Sequence, residues 1–369
     1  MSTARRVLSL LTSDAELRLM IEESAMPEPG AADVVIEMEA APINPSDLAV
    51  LIGPANLDEA RNEADGTLVA PVDPGILKAF KVRLDKPLPV GNEGAGRVVA
   101  AGTSEEAQAL LGKRVSCLRG NLYASHAKVP AAICMELPEP ITAEQGASSF
   151  VNPLTALSMV DTMRLDGHNG LIHTAAASNL GQMLNRICLD EGVPLVNIVR
   201  KDEQAQLLKA QGAAHVVNSA APDFMAVLTD AIVETGASLG FDAVGGGKLT
   251  DRVLNAMERA FSRDAAFWSP YGSTILKQVY IYGGLDLSPT ILNRGYGMAW
   301  RVGGYLLNHF MERVGPARMK ELQARVVAEI GTTFASHYSH TISLDEMLRA
   351  DNARAYNAKA TGEKFLVCP

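Results

Sequence analysis

A turn of small residues at positions 176–181 could bind a ligand. It follows the apolar segment 171–175, and the three positions of a G-x-G-x-x-G pattern are occupied by Ala176, Ser178 and Gly181. In a dinucleotide-binding turn, small residues let the backbone approach a pyrophosphate group at the start of a helix. Only the last position is still glycine, so an ordinary strand–helix turn without a ligand fits the same residues.

Two cations follow the next predicted strand. Arg200 lies 19 residues after Gly181 and is followed directly by Lys201. A dinucleotide fold that selects NAD places a carboxylate about 20 positions after the turn, where it holds the ribose 2′-hydroxyl. Cations at that place favour a 2′-phosphate and therefore NADP(H), although a solvated basic pair at the end of a strand is the alternative.

The elements that would position these residues alternate between strand and helix. Predicted strands lie at 171–175, 194–199, 216–217, 240–244 and 278–282. Between the first two, Leu180, Met183, Leu184 and Ile187 recur at the spacing of one apolar helix face. This alternation predicts a doubly wound parallel sheet with helices on both faces, which is the Rossmann type. We therefore predict a nucleotide-binding domain over 151–334.

The first 150 residues predict a β-rich domain instead. Short apolar segments, such as 34–40 and 114–118, are separated by many prolines and glycines. Residues 56–86 are less regular and predict a long surface loop or a small insertion. A second candidate insertion, 257–276, carries aromatic residues that could shape a substrate pocket or a dimer contact, or pack on their own domain.

Composition excludes several functional classes. The chain has 369 residues and a net charge of −9, with no basic cluster that would bind nucleic acid. No apolar segment approaches the roughly 18 residues of a membrane helix. The four cysteines are scattered without metal-ligand spacing, which favours a reducing, cytoplasmic setting without structural zinc.

Several motifs occur in an order that is typical of one family. They lie at 41–47, 89–99, 151–156, 176–181, 241–246 and 362–367. In this order they make the chain similar to the medium-chain dehydrogenase/reductase superfamily over nearly its whole length. The resemblance implies a Rossmann NADP(H)-binding domain and a β-rich GroES-like substrate domain, 1–150, to which residues 335–369 return.

The branch of that superfamily follows from ligands that are missing. Zinc alcohol dehydrogenases place a cysteine ligand where this chain has Asp47 and Leu48, and a histidine ligand where it has Asn92. A catalytic zinc needs about three protein ligands. The chain thus resembles the zinc-independent quinone oxidoreductases and 2-enoyl thioester reductases. Segments 196–200 and 212–217 are especially similar to mitochondrial-type enoyl thioester reductases, which use NADPH.

The resemblance also implies roles for single residues. Asn44 would lie near the nicotinamide and the reacting carbonyl of the substrate. Around the cofactor, the implied contacts are Asn152, Thr155, Ser178, Asn179, Leu180, Gly181, Arg200, Lys201, Val244, Gly245, Tyr282, Gly283, Gly284 and Lys364. Relatives commonly form homodimers through an edge strand near 291–301, and no metal is expected.

One departure concerns the proton donor. Enoyl thioester reductases carry a tyrosine a few residues after the motif at 44–47, where this chain has Gly53 and Pro54. Tyr123 is a candidate replacement, and a packing role is its alternative. The leading hypothesis is an NADPH-dependent reductase of a small-molecule quinone or activated alkene, acting in a cleft between the domains. The alternative is a catalytically silent NADPH-binding protein.

Overall fold

The computed structural model describes residues 3–263, 265–358 and 362–369, which divide into two compact units. The first unit lies within 1–151 and 326–369, and the second comprises 152–325. The strands of the described residues are β1 Thr3–Leu11, β2 Glu16–Ala25, β3 Asp33–Pro42, β4 Arg61–Asn62, β5 Leu68–Pro71, β6 Leu88–Pro89, β7 Glu93–Ala101, β8 Arg114–Leu118, β9 His126–Pro130, β10 Cys134–Glu136, β11 Leu171–His173, β12 Leu195–Val199, β13 His215–Asn218, β14 Leu239–Asp242, β15 Gly245–Gly247, β16 Lys277–Ile281, β17 Asp286–Thr290, β18 Trp300–Gly304, β19 His340–Ile342 and β20 Phe365–Val367.

Helices connect these strands. They are α1 Pro45–Leu51, α2 Glu105–Leu110, α3 Ala143–Gly146, α4 Val151–Leu165, α5 Asn179–Asp190, α6 Asp202–Ala210, α7 Phe224–Thr235, α8 Leu249–Ser262, α9 Leu307–Ala328, α10 Leu344–Met347 and α11 Ala350–Asn357. Short 3₁₀ helices lie at Leu57–Glu59, Pro74–Phe80 and Ala131–Ile133. Within the described ranges, every helix is too short or too polar to cross a membrane.

The second unit contains the parallel sheet that the sequence predicts. Its strand order is β13-β12-β11-β14-β16-β18, and all neighbours in that sheet run parallel. This is the 3-2-1-4-5-6 order of a doubly wound dinucleotide-binding sheet. The predicted apolar face of α5 is buried, and Ile172, Val196 and Phe224 lie in the core beneath the helices. The predicted fold class is confirmed.

The first unit is β-rich. One of its sheets has the order β4-β5-β2-β1-β6, and the other has the order β10-β8-β7-β3-β20-β19, with β9 also pairing with β3. The strand β20, from the end of the chain, therefore lies beside β3 from its beginning. This pairing brings the C-terminal segment next to the residues that precede α1.

The two candidate insertions are shorter than the sequence predicts. Within 56–86, β5 pairs with β2, and Leu68, Val69 and Ala70 are wholly buried. This part belongs to the sheet because its apolar side chains complete the core, so the loop prediction was wrong there. In 257–276, the first six residues are the last turns of α8. Phe267 and Trp268 beyond it are almost fully exposed, so these two do not pack on their own unit.

Candidate functional site

The turn between β11 and α5 brings the chain backbone very close to the start of a helix. A Cβ atom on Gly181 would lie 2.3 Å from the carbonyl oxygen of Ala176, so only glycine allows the helix to pack on the turn at this distance. The Ser178 Oγ accepts the N–H of Gly181 at 3.2 Å and caps the helix. Asn179 begins α5, and Leu180 is buried. The first turn of such a helix favours an anion.

Two exposed cations lie at the end of the neighbouring strand. Arg200 and Lys201 follow β12, which pairs in parallel with β11. Their main-chain N–H groups donate to Gln204 Oε1 at 3.0 and 3.2 Å, which fixes the backbone there. Their side chains make no ion pair with any described residue. Since the carboxyl ends of parallel neighbours share one sheet edge, both cations lie on the same edge as the α5 turn.

The loops after β14 and β16 also meet at this edge. Gly245 has a φ of +78°, and a Cβ atom on it would lie 2.7 Å from the carbonyl oxygen of Gly283. A Cβ atom on Gly283 would in turn lie 2.6 Å from the carbonyl oxygen of Ala243. The two backbones are therefore in direct contact. Val244 is half-buried and Gly284 is exposed.

Asp242, which the sequence interpretation did not assign to the site, organises the first of these loops. Its buried carboxylate accepts hydrogen bonds from the Thr174 hydroxyl at 2.7 Å, the Thr250 hydroxyl at 2.6 Å and the Val244 N–H at 2.8 Å. A buried carboxylate needs such donors to offset its lost hydration. The sequence signal that could have identified Asp242 is its position at the end of a predicted strand, which is β14 in the structure.

Tyr282 at the end of β16 is held by a buried histidine. Its hydroxyl lies 2.7 Å from His173 Nε2, and the two rings stack. Burial lowers the pKa of His173 to about 3, so this imidazole is neutral at physiological pH. The sequence analysis did not identify this contact between His173 and Tyr282, which are 109 residues apart. Asn152 and Thr155, the remaining predicted contacts of this unit, lie in the first turns of α4.

The first unit holds a separate cluster of buried polar side chains, centred on Glu93. Its side chain has no exposed surface. Its Oε1 accepts the Asn44 side-chain amide at 2.7 Å, and its Oε2 accepts the N–H groups of Phe150 and Val151, both at 2.9 Å. The sequence identified Asn44 as a site residue but assigned no role to Glu93. This cluster is formed by α1, β7 and the segment before α4.

The orientation of the Asn44 amide follows from this contact. A carboxylate only accepts hydrogen bonds, so the amide nitrogen must face Glu93 and the Oδ1 atom must face away. The Oδ1 atom is buried and has no hydrogen-bond partner among the residues that the structure describes. The amide nitrogen retains a second hydrogen. Asn44 therefore keeps one unused acceptor atom and one unused donor hydrogen in a buried position.

Asp47 and Lys364 complete the cluster with opposite charges. Asp47 accepts the N–H groups of Asn44 and Asn92, both at 2.8 Å, and burial raises its pKa to about 7. Lys364 donates to Ser148 Oγ at 2.7 Å and lies over the Tyr338 ring. Burial lowers the pKa of Lys364 to about 8, while the charges of Glu93 and Asp47 act in the opposite direction. Both groups thus titrate near neutral pH.

Tyr123 lies in the core below this cluster. It is wholly buried, and its hydroxyl donates to the carbonyl oxygen of Pro42 at 2.9 Å. Burial, and after it the charge of Asp47, raise its pKa well above the ordinary value of a tyrosine. This arrangement favours the packing role over the catalytic one, because the hydroxyl has a fixed partner and no access to a ligand.

The described residues contain no group of side chains typical of a metal site. Among residues 3–263, 265–358 and 362–369, no three His, Cys, Asp or Glu side chains are grouped so as to hold a metal ion. Beside Asp47, the position that follows Gly91 is Asn92, whose carboxamide nitrogen lies 3.4 Å from Ser46 Oγ. The cysteines of these ranges are not disulfide-bonded.

Comparisons with known proteins place the chain among reductases. Prostaglandin reductase-3 of Mus musculus is 26% identical over 296 residues, which are 78% of this chain and 74% of that protein. The mitochondrial enoyl-[acyl-carrier-protein] reductase of Caenorhabditis elegans is 27% identical over 206 residues, 54% of this chain and 52% of that protein. The chain therefore matches about half the length of this second relative. No family model matches the chain.

Solved structures of reductases are also similar to this chain, and the similarity covers its whole length. A protein of Mesorhizobium loti assigned as an NADPH:quinone reductase superposes with a TM-score of 0.76 and 26% identity, covering 100% of this chain and 99% of that one. The relatives and structural neighbours are medium-chain dehydrogenase/reductases. An enoyl thioester reductase of Candida tropicalis, in a mutant form, shares the medium-chain reductase fold with a TM-score of 0.67, 19% identity and full coverage of both chains. The predicted family resemblance is confirmed.

Proposed function

We propose that this chain is an NADPH-dependent reductase that transfers hydride, without zinc, to a quinone or to an alkene conjugated with a carbonyl group. The observation that carries the proposal is that Arg200 and Lys201, which follow β12, are exposed and form no ion pair with a described residue. A 2′-phosphate fits two free cations, whereas NAD requires a carboxylate there. The names of the relatives, which are NADPH:quinone, enoyl and prostaglandin reductases, support the same reaction class.

The residues of the second unit fit the whole cofactor. The tight turn at Gly181 and the start of α5 suit its pyrophosphate, and the loops at Val244, Gly245 and Tyr282–Gly284 suit its nicotinamide end. When bound, NADPH supplies the hydride. The contribution of the protein is then to orient the reactants and to polarise the substrate carbonyl.

The first unit would supply the polar groups for the substrate. Asn44 is rigidly held by Glu93 and Asp47, so its second amide hydrogen is a preorganised donor for a carbonyl oxygen. Lys364 stays near the same carboxylates as a cation. Asn92, a neutral amide where the zinc-dependent dehydrogenases have a histidine, supports a reaction without metal.

A turnover assay tests the proposal. The purified protein should oxidise NADPH in the presence of at least one compound from a panel of quinones, enones and enoyl thioesters, and added chelator should leave the rate unchanged. Asn44→Ala should lower kcat for the active compound at least about tenfold. NADPH binding without turnover across the panel would contradict the reductase and support the silent NADPH-binding protein.

We also propose that the protein forms a homodimer through the edge of its parallel sheet. The strand β18 is the last of that sheet, and Met298, two residues before it, is 74% exposed. Large exposed apolar side chains beside a sheet edge suit a second copy of the chain. Sedimentation should show a dimer. Met298→Lys should weaken this dimer, whereas Leu207→Lys, a change on exposed α6, should not.

The proposed setting of the protein is the cytoplasm, because free cysteines suit a reducing compartment.

A further inference from the structure

Two carboxylates lie beside the cations that we assign to the cofactor. Asp202 and Glu203 follow Arg200 and Lys201 directly in the chain, and all four residues are exposed. Opposite charges this close attract each other, and long basic side chains can reach an adjacent carboxylate. In the described part of the chain, however, neither cation makes an ion pair. The carboxylate of Asp202 is instead hydrogen-bonded to a different partner.

That partner is Asn218, the last residue of β13. Its Nδ2 atom donates to Asp202 Oδ1 at 2.8 Å. In the sheet, β13 lies on one side of β12, whereas β11 and its turn at Gly181 lie on the other side. One oxygen of Asp202 is therefore held on the side of β12 that is opposite to the turn assigned to the pyrophosphate. The start of α6, where Asp202 lies, also favours a negative charge.

The orientation of the Asn218 amide is fixed by a second hydrogen bond. Its Oδ1 atom accepts the N–H of Ala220 at 3.0 Å, and a backbone N–H can only donate. The amide nitrogen must therefore face Asp202, whose carboxylate can only accept. The turn that carries Asn218 is itself attached to β12, because the Ser219 N–H donates to the Val199 carbonyl at 2.7 Å. The donor for Asp202 is thus preorganised.

A separate contact fixes the main chain of the two cations. Gln204 Oε1 accepts the N–H groups of Arg200 and Lys201, as described above. Gln204 therefore orders the backbone, whereas Asn218 acts on the adjacent acid. A carboxylate paired with the cations would have to be displaced by a phosphate and would then repel it. Holding Asp202 on β13 keeps both cations available.

We propose that Asn218 is a positioning residue for cofactor selectivity, because it holds the Asp202 carboxylate away from the cations that would bind the 2′-phosphate of NADPH. The proposal rests on the function proposed above and specifies how the selectivity of that cofactor site is maintained. Asn218 acts through Asp202 and needs no contact with the cofactor. NADH has no 2′-phosphate, so its binding should not depend on the position of this carboxylate.

Calorimetric titration with NADPH and NADH tests the role of Asn218. Asn218→Ala releases the Asp202 carboxylate, so NADPH should bind about three- to fivefold more weakly, with no change for NADH. Unchanged NADH binding also shows that the variant is folded. The double variant Asn218→Ala/Asp202→Asn has no such carboxylate to release, and it should bind NADPH at least as tightly as the wild type.

A matched variant separates this effect from a general change of charge. Asn218→Ala/Glu203→Gln removes the neighbouring carboxylate, which is not the one that Asn218 binds, and should bind NADPH as weakly as Asn218→Ala. Equal losses for NADPH and NADH in Asn218→Ala would indicate a purely structural effect of the β13 turn and would overturn the role. Failure of Asp202→Asn to restore NADPH binding would overturn it as well.

The wild-type titrations distinguish this inference from the proposed function. Equal affinity of the wild type for NADPH and NADH would contradict the assignment of Arg200 and Lys201, and with it the role of Asn218. A wild-type preference for NADPH that persists unchanged in Asn218→Ala would overturn the role of Asn218 alone.

Discussion

The two units present their charged groups in opposite ways. At the sheet edge of the second unit, Arg200 and Lys201 are exposed and make no ion pair within the described part of the chain. In the first unit, Glu93 and Asp47 are buried, and their oxygens are hydrogen-bonded. Exposed charges contribute little to stability and remain available to a ligand. Removing one member of a buried charged cluster costs much more, because its partners stay buried. Binding and stability should therefore respond to different residues.

Glu93→Ala should have the largest effect on stability. It removes the acceptor of the Asn44 amide and of the Phe150 N–H, both of which are buried. We expect the free energy of unfolding to fall by about 3–5 kcal/mol. Urea denaturation followed by far-UV circular dichroism measures it. Glu93→Gln, which keeps an acceptor oxygen of the same size, is the matched variant and should lose less.

Gly181→Ala should have the next largest effect on stability. The new methyl group would overlap the Ala176 carbonyl oxygen, so α5 must move away from the turn. We expect a loss of about 1–3 kcal/mol in the second unit, together with weaker NADPH binding. Thermal unfolding with and without NADPH provides the readout. Gly331→Ala, at a glycine with open space around it, is the control. An equal change in both variants would argue against the close packing.

Asp47→Asn should change the pH dependence of stability. The folded protein holds the pKa of Asp47 at about 7, above its ordinary value of 3.8. Between pH 4 and pH 7 the folded state therefore binds more protons than the unfolded state, and stability falls as the pH rises. This contribution is at most about 1.4 kcal/mol per pH unit. Denaturation at several pH values should show a shallower fall for the variant, and parallel curves would contradict the assignment.

The sequence predicts the second unit well because its determinants are local. Strand periodicity, the glycine at 181 and the cations at 200 and 201 all lie within about 30 residues of one another. Their relative positions follow from the geometry of one strand–helix–strand unit. The predicted fold was confirmed, whereas the cofactor contacts stay predictions.

The buried cluster of the first unit is harder to predict, because its residues are far apart in the sequence. Asn44 and Glu93 are 49 residues apart, and Lys364 and Ser148 are 216 apart. The pairing of β20 with β3 places the segment around Lys364 in the same unit as Ser148. Family resemblance indicated Asn44 and Lys364 one at a time, but the network of Glu93, Ser148 and Tyr338 depends on tertiary structure. From the sequence alone Tyr123 was a plausible proton donor, but the structure shows that its side chain is wholly buried.

Cofactor selectivity decides whether Arg200 and Lys201 bind a 2′-phosphate. The affinities of NADPH and NADH are measured by calorimetry for the wild type, for Arg200→Ala/Lys201→Ala, and for Lys209→Ala, a control on the exposed face of α6. The wild type should prefer NADPH. The double variant should lose NADPH affinity at least about tenfold with little change for NADH, and Lys209→Ala should match the wild type. Equal losses for both cofactors, or an unchanged preference in the double variant, would contradict the account.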